Sequence, residues 1–248
     1  MAISLRYLIN TGLLLAVGLL SMSAQVPVSK PQPLKVRFYY VGYDTFATGL
    51  TSPELQATYG SGKSAREIRL APESLSPIYD YDGPMPMVLY REVKVEGRSE
   101  RQTLAELTCP PDWPGVLFMV FPEPQSAGFP FHFTPVEYGA DHIPDNSMRL
   151  LNLCPVPLAI KLSGEGKVVP PHEQADFPIN PDAAMLPFVL ARSLGESWKV
   201  VISSPRPKPE SSRMLMLAFP DYPDFKTVRI LQLGNLPVAS PQPSQGAH

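Results

Sequence analysis

The apolar runs Leu117-Phe118-Met119-Val120-Phe121-Pro122 and Leu215-Met216-Leu217-Ala218-Phe219-Pro220 determine how this chain is expected to fold. Each run is a short stretch of aliphatic and aromatic residues that ends at a proline, which is typical of a β-strand bounded by a turn. The two runs match position by position in residue class and lie 98 residues apart. They therefore indicate that one strand pattern occurs twice.

Three further pairs of segments match in the same order along the chain. These pairs are 36–41 with 148–153, 87–91 with 188–192, and 131–133 with 228–231. The pattern predicts an internal duplication, in which two related β-sandwiches are joined near residues 137–147. A single pseudo-symmetric sandwich built from both halves is the alternative.

Proline and strand-like segments together predict an all-β protein. Proline accounts for 31 of the 248 residues, against a usual share of about 5%, and it disfavours long helices because it lacks a backbone donor. Short runs rich in Val, Ile, Phe and Tyr recur between turn residues, with the spacing that sandwiches and barrels show. The predicted strands are 35–43, 65–70, 85–95, 102–108, 115–121, 129–135, 148–153, 158–163, 166–169, 175–179, 188–194, 198–203, 213–219 and 227–233.

The N-terminus has the three parts of an export signal. Arg6 supplies a positive charge, residues 13–20 form an apolar run, and small residues precede Gln25. We therefore expect residues 1–24 to be a cleaved signal peptide and the mature protein to be periplasmic or extracellular. An uncleaved anchor is the alternative, although the run is short for a membrane span.

The remaining organisation follows from composition. The prediction comprises a proline-rich linker at 25–34, one β-sandwich domain at 35–136, a second at 147–238, and a disordered tail at 239–248. No later segment has the length of apolar sequence that a membrane span needs. The net charge of -2 gives no basis for a nucleic-acid partner, which would require a concentrated basic surface.

Two cysteines, Cys109 and Cys154, lie in the part expected to be exported. An oxidising compartment permits a disulfide between them, and such a bridge would contribute about 3–4 kcal/mol. Two free, buried thiols are the alternative, and the sequence does not choose between them.

The segment Ala57-Thr58-Tyr59-Gly60-Ser61-Gly62-Lys63-Ser64 resembles a phosphate-binding loop. Such a loop requires a buried parallel strand before it and a helix after it. Residues 51–56 are polar and contain a proline, and Pro72 follows too soon for a useful helix. We therefore expect a glycine- and serine-rich hairpin loop here, and no cofactor.

Two groups of polar residues are candidate metal or catalytic sites. Asp80 and Asp82 have the spacing of calcium-loop carboxylates, but a polar turn explains them equally well. His142 lies beside Asp141 and near Asp145, so this cluster is a candidate metal or acid–base site. The alternative is that the cluster forms a polar connector between the halves.

Tyrosine is concentrated in the first half of the chain. Neighbouring strand residues point to opposite faces, so Tyr39 and Tyr40 cannot both lie in one core. Exposed tyrosines can bind sugars or proteins, since each offers a ring and a polar tip. The candidate binding surface consists of Tyr39, Tyr40, Tyr43, Tyr79 and Tyr81, although a tyrosine-rich sandwich surface without a ligand is the simpler interpretation.

The second half resembles a family of uncharacterised secreted bacterial proteins with immunoglobulin-like β domains. The resemblance rests on the strand Ser147-Met148-Arg149-Leu150-Leu151-Asn152-Leu153, which ends near an Asn, on Leu158-Ala159-Ile160-Lys161-Leu162, and on the turn Pro170-Pro171-His172-Glu173. It covers about 90 residues of this chain. It implies two tandem immunoglobulin-like sandwich halves and assigns no catalytic residue.

No ordered set of catalytic residues emerges from these patterns. The leading hypothesis is therefore an exported, non-enzymatic module that binds a protein or glycan of the cell envelope, or scaffolds an assembly there. The alternative is a hydrolase or metal-dependent enzyme with its site at the junction of the halves, using His142, Asp141 or Asp145.

Overall fold

The computed structural model of the chain describes residues 33–42, 54–60, 64–123, 130–208, 210–221 and 227–238. All of them belong to one compact unit. The predicted signal peptide, nearly all of the predicted linker and the predicted C-terminal tail lie outside the described residues. In the part that is described, there is no helix with the length and apolar character of a membrane span.

The fold is all-β, as the sequence predicts. The strands are β1 (Leu34–Tyr40), β2 (Leu55–Tyr59), β3 (Arg66–Leu70), β4 (Tyr79–Tyr81), β5 (Met87–Val95), β6 (Arg98–Leu107), β7 (Gly115–Pro122), β8 (Phe131–Glu137), β9 (Ser147–Asn152), β10 (Leu158–Leu162), β11 (Glu165–Val169), β12 (Gln174–Pro178), β13 (Met185–Leu186), β14 (Phe188–Leu194), β15 (Ser197–Ser203), β16 (Arg206–Pro207), β17 (Arg213–Pro220) and β18 (Val228–Leu233).

Each half of the chain builds its own sandwich. In the first half, the first inner sheet has the order β4-β1-β7-β8 and the first outer sheet the order β3-β2-β5-β6. Their facing side chains, such as Phe38, Leu89 and Phe118, form one buried core. In the second half, the second inner sheet (β12-β9-β17-β18) and the second outer sheet (β11-β10-β14-β15) enclose another core. The alternative of one sandwich shared by both halves is therefore wrong.

The two sandwiches have the same topology and the same register. In the first half, β1 runs parallel to β7 with Val36 opposite Val116, and in the second half β9 runs parallel to β17 with Met148 opposite Met214. Val36 and Met148 are 112 residues apart, and Val116 and Met214 are 98 residues apart. These are the separations at which the sequence segments match. The internal repeat of the sequence is thus a repeat of the structure.

Irregular features repeat as well. The bulge between Leu89 and Tyr90 in the β5–β6 pair recurs between Leu190 and Ala191 in the β14–β15 pair. Two corresponding turn residues, at positions 73 and 172, both have a φ of 60°. Their N–H groups donate to the backbone carbonyls of the corresponding residues 40 and 152, each at 2.8 Å. Bulges and turns depend on local backbone geometry, so their recurrence is further evidence that the two halves are a structural repeat.

A third core joins the halves. The outward faces of the two inner sheets meet, and Leu117 and Met119 from β7 pack in one cluster with Leu217 from β17. The four sheets therefore stack with the two inner sheets back to back. Face-to-face packing of two apolar sheet surfaces is the arrangement that removes both from water.

The segment between Glu137 and Ser147 contributes to this third core. Tyr138, Ala140 and Ile143 are buried in it, whereas Asp141, His142 and Asp145 of the same connector are exposed. Gly115 is required where this segment passes β7, because a Cβ there would lie 2.4 Å from the carbonyl oxygen of Tyr138. The beginning of the connector, at Tyr138, therefore packs directly against the backbone of β7.

Two strands of the first half do not appear in the sequence prediction. Residues 51–56 read as polar, yet β2 includes Leu55, whose side chain alternates inward with those of Ala57 and Tyr59. β4 is only three residues long and pairs with β1 at the sheet edge. Both are recognisable only by comparison with their counterparts in the second half, β10 and β12.

Candidate functional site

A groove of about 170 Å³ lies at the junction of the halves, where the sequence places a candidate site. Its lining includes Trp113 from the first half, Glu137 at the end of β8, and Arg149 and Gln174 from the second half. Small-molecule sites are usually larger, about 300–1,000 Å³. The groove therefore has room for little more than one side chain.

The His142 cluster does not assemble as the sequence suggests. The imidazole Nδ1 of His142 lies 2.6 Å from a carboxylate oxygen of Glu137, while Asp145 accepts a hydrogen bond of 2.9 Å from Nε of Arg213. Asp141 is exposed in the turn beside His142. Within the described part of the chain, no three His, Cys, Asp or Glu side chains are grouped as metal ligands would be.

Arg149 holds the connector against the second half. Its guanidinium donates two hydrogen bonds to the carboxylate of Asp176, at 2.7 and 2.8 Å, and another to the backbone carbonyl of His142. The hydrogen bond to Asp176 raises the pKa of Arg149, and burial opposes that shift. A bidentate pair of this kind fixes geometry. The two charged side chains that line the groove, Glu137 and Arg149, are thus already paired within the fold, with His142 and Asp176 respectively.

The acidic pair of the first half is split between an ion pair and solvent. Asp80 forms an ion pair with Lys35 across the β1–β4 pair, with 2.5 Å between Oδ1 of Asp80 and Nζ of Lys35. Asp82 is exposed in the following turn. Asp80 is therefore a strand residue and not part of a turn, whereas Asp82 lies in the connection that follows β4.

The proposed tyrosine surface is wrong, because most of its members are buried. Tyr40 is fully buried in the first core, whereas Tyr39, with 8% of its surface exposed, lies in the core between the halves. The two side chains point to opposite faces as expected, but the second half covers the outer one. Tyr81 is also buried and Tyr79 is partly buried. Tyr43 lies outside the described residues.

The cysteines are both free in this structure. Cys154 is buried in the core of the second half, and Cys109 packs at the border of the first core. Burial raises the pKa of Cys154 to about 12 and also raises that of Cys109. Because the thiolate is the reactive form, both thiols are expected to be poorly reactive in the folded protein.

Thiol labelling tests this arrangement. We expect a thiol reagent at pH 8, without reductant, to modify Cys154 at least about a hundredfold more slowly in the folded than in the unfolded protein. Unfolding in guanidinium chloride should then release two reactive thiols per chain, and Cys154→Ala should leave one. An unfolded chain that shows thiols only after reduction would demonstrate a disulfide instead.

The described residues before and after the glycines of the segment that resembles a phosphate-binding loop belong to two antiparallel strands. β2 leads into the segment and β3 follows it, with Leu55 opposite Leu70. A strand does precede the glycines, contrary to the expectation from sequence, but it is antiparallel to β3, which is the next element in the described part of the chain. Ser61, Gly62 and Lys63 lie outside the described residues.

The outward face of the second outer sheet carries an unexpected apolar row. Ala159 of β10 lies opposite Val168 of β11 on one side and Ala191 of β14 on the other, and Ala191 lies opposite Val200 of β15. We call these four residues the second outer row. Val168 and Val200 are 58% and 57% exposed. Trp198, two residues before Val200, is 47% exposed and extends the row.

The corresponding row of the first outer sheet is polar. Its members occupy the same register positions and comprise Glu67, Thr58, Tyr90 and Thr103, which we call the first outer row. The guanidinium of Arg101 lies 4.5 Å from the centre of the Tyr90 ring and covers it. A polar outer row is therefore compatible with this topology, so the sandwich itself does not require the apolar residues of the second row.

The sequence contains a signal for this surface that periodicity alone does not reveal. Strands read singly show Val168 and Val200 as ordinary strand residues. Aligning the two halves pairs them with Glu67 and Thr103, and the contrast marks the second face as unusual. The exposed members of this face are Val168, Val200 and Trp198, whereas Ala191 is only 8% exposed. Exposed apolar side chains grouped on one face commonly indicate an interaction site.

Comparisons with known proteins provide no family for this chain. Neither a scan against protein-family models nor a search of curated proteins found a match.

Proposed function

We propose that the protein is an exported, non-enzymatic binding or scaffolding module that docks a partner protein on its second outer sheet. The observation that carries this proposal is the apolar second outer row, at positions where the equivalent sheet is polar. Burial of apolar surface is the main favourable contribution to protein association. Covering each exposed valine of the row would remove apolar surface from water and so contribute favourable free energy to binding.

The chemistry of the face favours a protein partner over a glycan. A glycan is bound largely through hydrogen bonds, yet the second outer row consists of two valines and two alanines. The buried centres of protein interfaces are apolar and depleted in charge, and tryptophan is prominent among their strongest contacts. Trp198 beside Val200 fits that pattern.

Export is supported by the sequence of residues 1–24. The mature protein is then expected to begin at Gln25 and to accumulate outside the cytoplasm. Intact mass and N-terminal sequencing of the protein purified from its own cells test this part of the proposal. Intracellular protein that retains Met1 would contradict it.

Exchanging the row tests the docking surface. The triple variant Val168→Glu, Ala159→Thr and Val200→Thr gives three of the four positions of the second outer row the residues that the first row carries, and leaves the buried Ala191 unchanged. Since these residues suit a strand surface, we expect the free energy of unfolding to change by less than about 1 kcal/mol. Crosslinked capture of partner protein from the exported fraction, quantified by mass spectrometry, should fall by at least about tenfold.

The control is the reverse exchange in the first half, Glu67→Val with Thr103→Val. This variant should capture the same partner as the native protein, because the proposed surface is untouched. Capture that survives the triple variant unchanged would overturn the proposal.

A further inference from the structure

We infer that the partner protein sets an acidic residue against Lys161, at the margin of the second outer row. This inference rests on the proposed function, because it specifies the chemistry of the partner that docks on the same face. Lys161 lies on β10, two residues after Ala159, and its side chain is exposed. Since alternate residues of a strand share a face, Lys161 points outward with the row.

Lys161 carries the only charge on the outward face of the second outer sheet, whose four strands are described throughout. It lies opposite Gly166 of β11 and Val189 of β14, and Val189 lies opposite Ser203 of β15. The other outward residues are also uncharged and comprise Ala159, Val168, Ala191, Ser193, Trp198 and Val200. The remaining charged residues of these strands occupy the alternate positions, which face the other way: Glu165, Lys167, Arg192 and Lys199.

The charge of Lys161 is not neutralised within the described part of the chain. Lys161 forms no ion pair and no side-chain hydrogen bond with any described residue, whereas Lys167 pairs with Glu165 at 2.8 Å. The sheet is open beside Lys161, because a Cβ added at Gly166 would meet only the carbonyl oxygen of Ile160, at 3.9 Å. A side chain of the partner therefore has room next to the ammonium group.

The repeat does not require a lysine at this position. Thr58 of β2 is the counterpart of Ala159, so the counterpart of Lys161 is Gly60. Gly60 follows the end of β2 and has a φ of 77°. Lys161 and the apolar second outer row are thus both features that distinguish the second outer sheet from the first.

An acidic protein surface fits this face better than the other candidate occupants. Complementary charge at the margin of an apolar interface selects the correct partner and disfavours like charge. A second copy that docked through the same face would bring another Lys161 and no acid. Lipid surfaces are bound by clusters of basic residues or by apolar side chains that penetrate the headgroups, whereas this face has one lysine on the surface of a sheet.

Zero-length crosslinking with a carbodiimide tests the inference, because the reagent joins an amine directly to a carboxylate. The mature protein is treated together with the exported fraction, and the crosslinked peptides are sequenced by mass spectrometry. We expect an amide between Nζ of Lys161 and an Asp or Glu of the partner whose capture depends on the second outer row. Lys161→Arg keeps the charge but removes the amine, so photo-crosslinked capture of that partner should stay within about twofold of native.

Charge reversal measures the contribution of the contact. Lys161→Glu should lower capture of the partner by at least about tenfold, because it sets like charges together, whereas Lys161→Gln should lower it about two- to fivefold. The matched control is Lys94→Glu, which reverses an exposed lysine of β5 in the first outer sheet and should leave capture unchanged. Vesicles of phosphatidylcholine and phosphatidylglycerol in equal parts should not sediment the protein.

Capture that survives Lys161→Glu would refute the acidic contact, and so would a partner whose carboxylates are never joined to Lys161. Vesicle binding that Lys161→Glu abolishes would assign the face to a lipid surface instead. If capture depends on the second outer row but not on Lys161, the acidic contact fails and the docking function stands. If capture does not depend on the row, the proposed function fails, whatever the crosslinks show.

Discussion

We expect the near-isosteric Asn152→Asp variant to lose about 3–5 kcal/mol of folding free energy. Asn152 is fully buried at the end of β9. Its amide nitrogen Nδ2 lies 2.9–3.0 Å from the carbonyl oxygens of Val156, Val169 and Pro170, and its Oδ1 accepts from the N–H of Cys154. In the Asp variant, a negatively charged carboxylate oxygen would replace the donating Nδ2 and would face three carbonyl oxygens that also carry negative partial charge.

Urea denaturation of the native and variant proteins at pH 7 measures this loss. The deficit relative to the native protein should shrink at pH 4, because a protonated carboxyl can donate to one of the three carbonyls. Asn180→Asp is the matched control: the Oδ1 of the exposed Asn180 accepts from the N–H of Asp182 at 3.0 Å, and a carboxylate retains that role. A loss below about 1 kcal/mol for Asn152→Asp would show that the Asn152 amide does not hold the backbone at Val156 and at Val169–Pro170 in place.

The Phe219→Ala variant should cost about 3–5 kcal/mol and should destabilise both halves. Phe219 is fully buried in the core between the inner sheets, and its ring meets that of Tyr39 edge-on at 5.9 Å. Its counterpart in the repeat, Phe121, is only partly buried against the same core. Phe121→Ala is therefore the matched control and should cost less, about 1–2 kcal/mol.

The two tryptophans make the coupling between halves measurable. Trp113 belongs to the first half and Trp198 to the second, so the Trp198→Phe and Trp113→Phe backgrounds each report one half by fluorescence. We expect both reporters to shift by the same amount in Phe219→Ala, because the shared core makes unfolding cooperative. A shift confined to the Trp198 reporter would show that the halves unfold independently.

The residues that repeat are the ones from which the fold could be predicted. Aligning residues 36–41 with 148–153 and 87–91 with 188–192 pairs strands that hold the same place in the two sandwiches, because strand pairing follows the apolar pattern. β2 and β4 escaped prediction for physical reasons. β2 is short and leads into glycines that resemble a phosphate-binding loop, and β4 has only three residues.

The candidate site was harder to predict because burial depends on distant parts of the chain. Tyr39 looked available for a ligand, and only the second half, packed against its face, shows otherwise. His142 was grouped with Asp141 and Asp145 by proximity in sequence, whereas the fold places Glu137 against it. Conversely, nothing local distinguishes Val168 from a core residue, and it is 58% exposed because none of the described elements packs over that part of the sheet.

Local pattern alone fixed the class of this protein, its two-fold repeat and the identity of most strands, since alternation and turn residues act over a few neighbouring positions. The stacking of the inner sheets, the burial of the tyrosines and the separation of the cysteines were decided only in three dimensions. The reason is that a strand has two faces, and its sequence does not specify what covers the second one. Where the two inner sheets meet, that second face became core; on the outermost sheet of the second half it remained exposed and apolar.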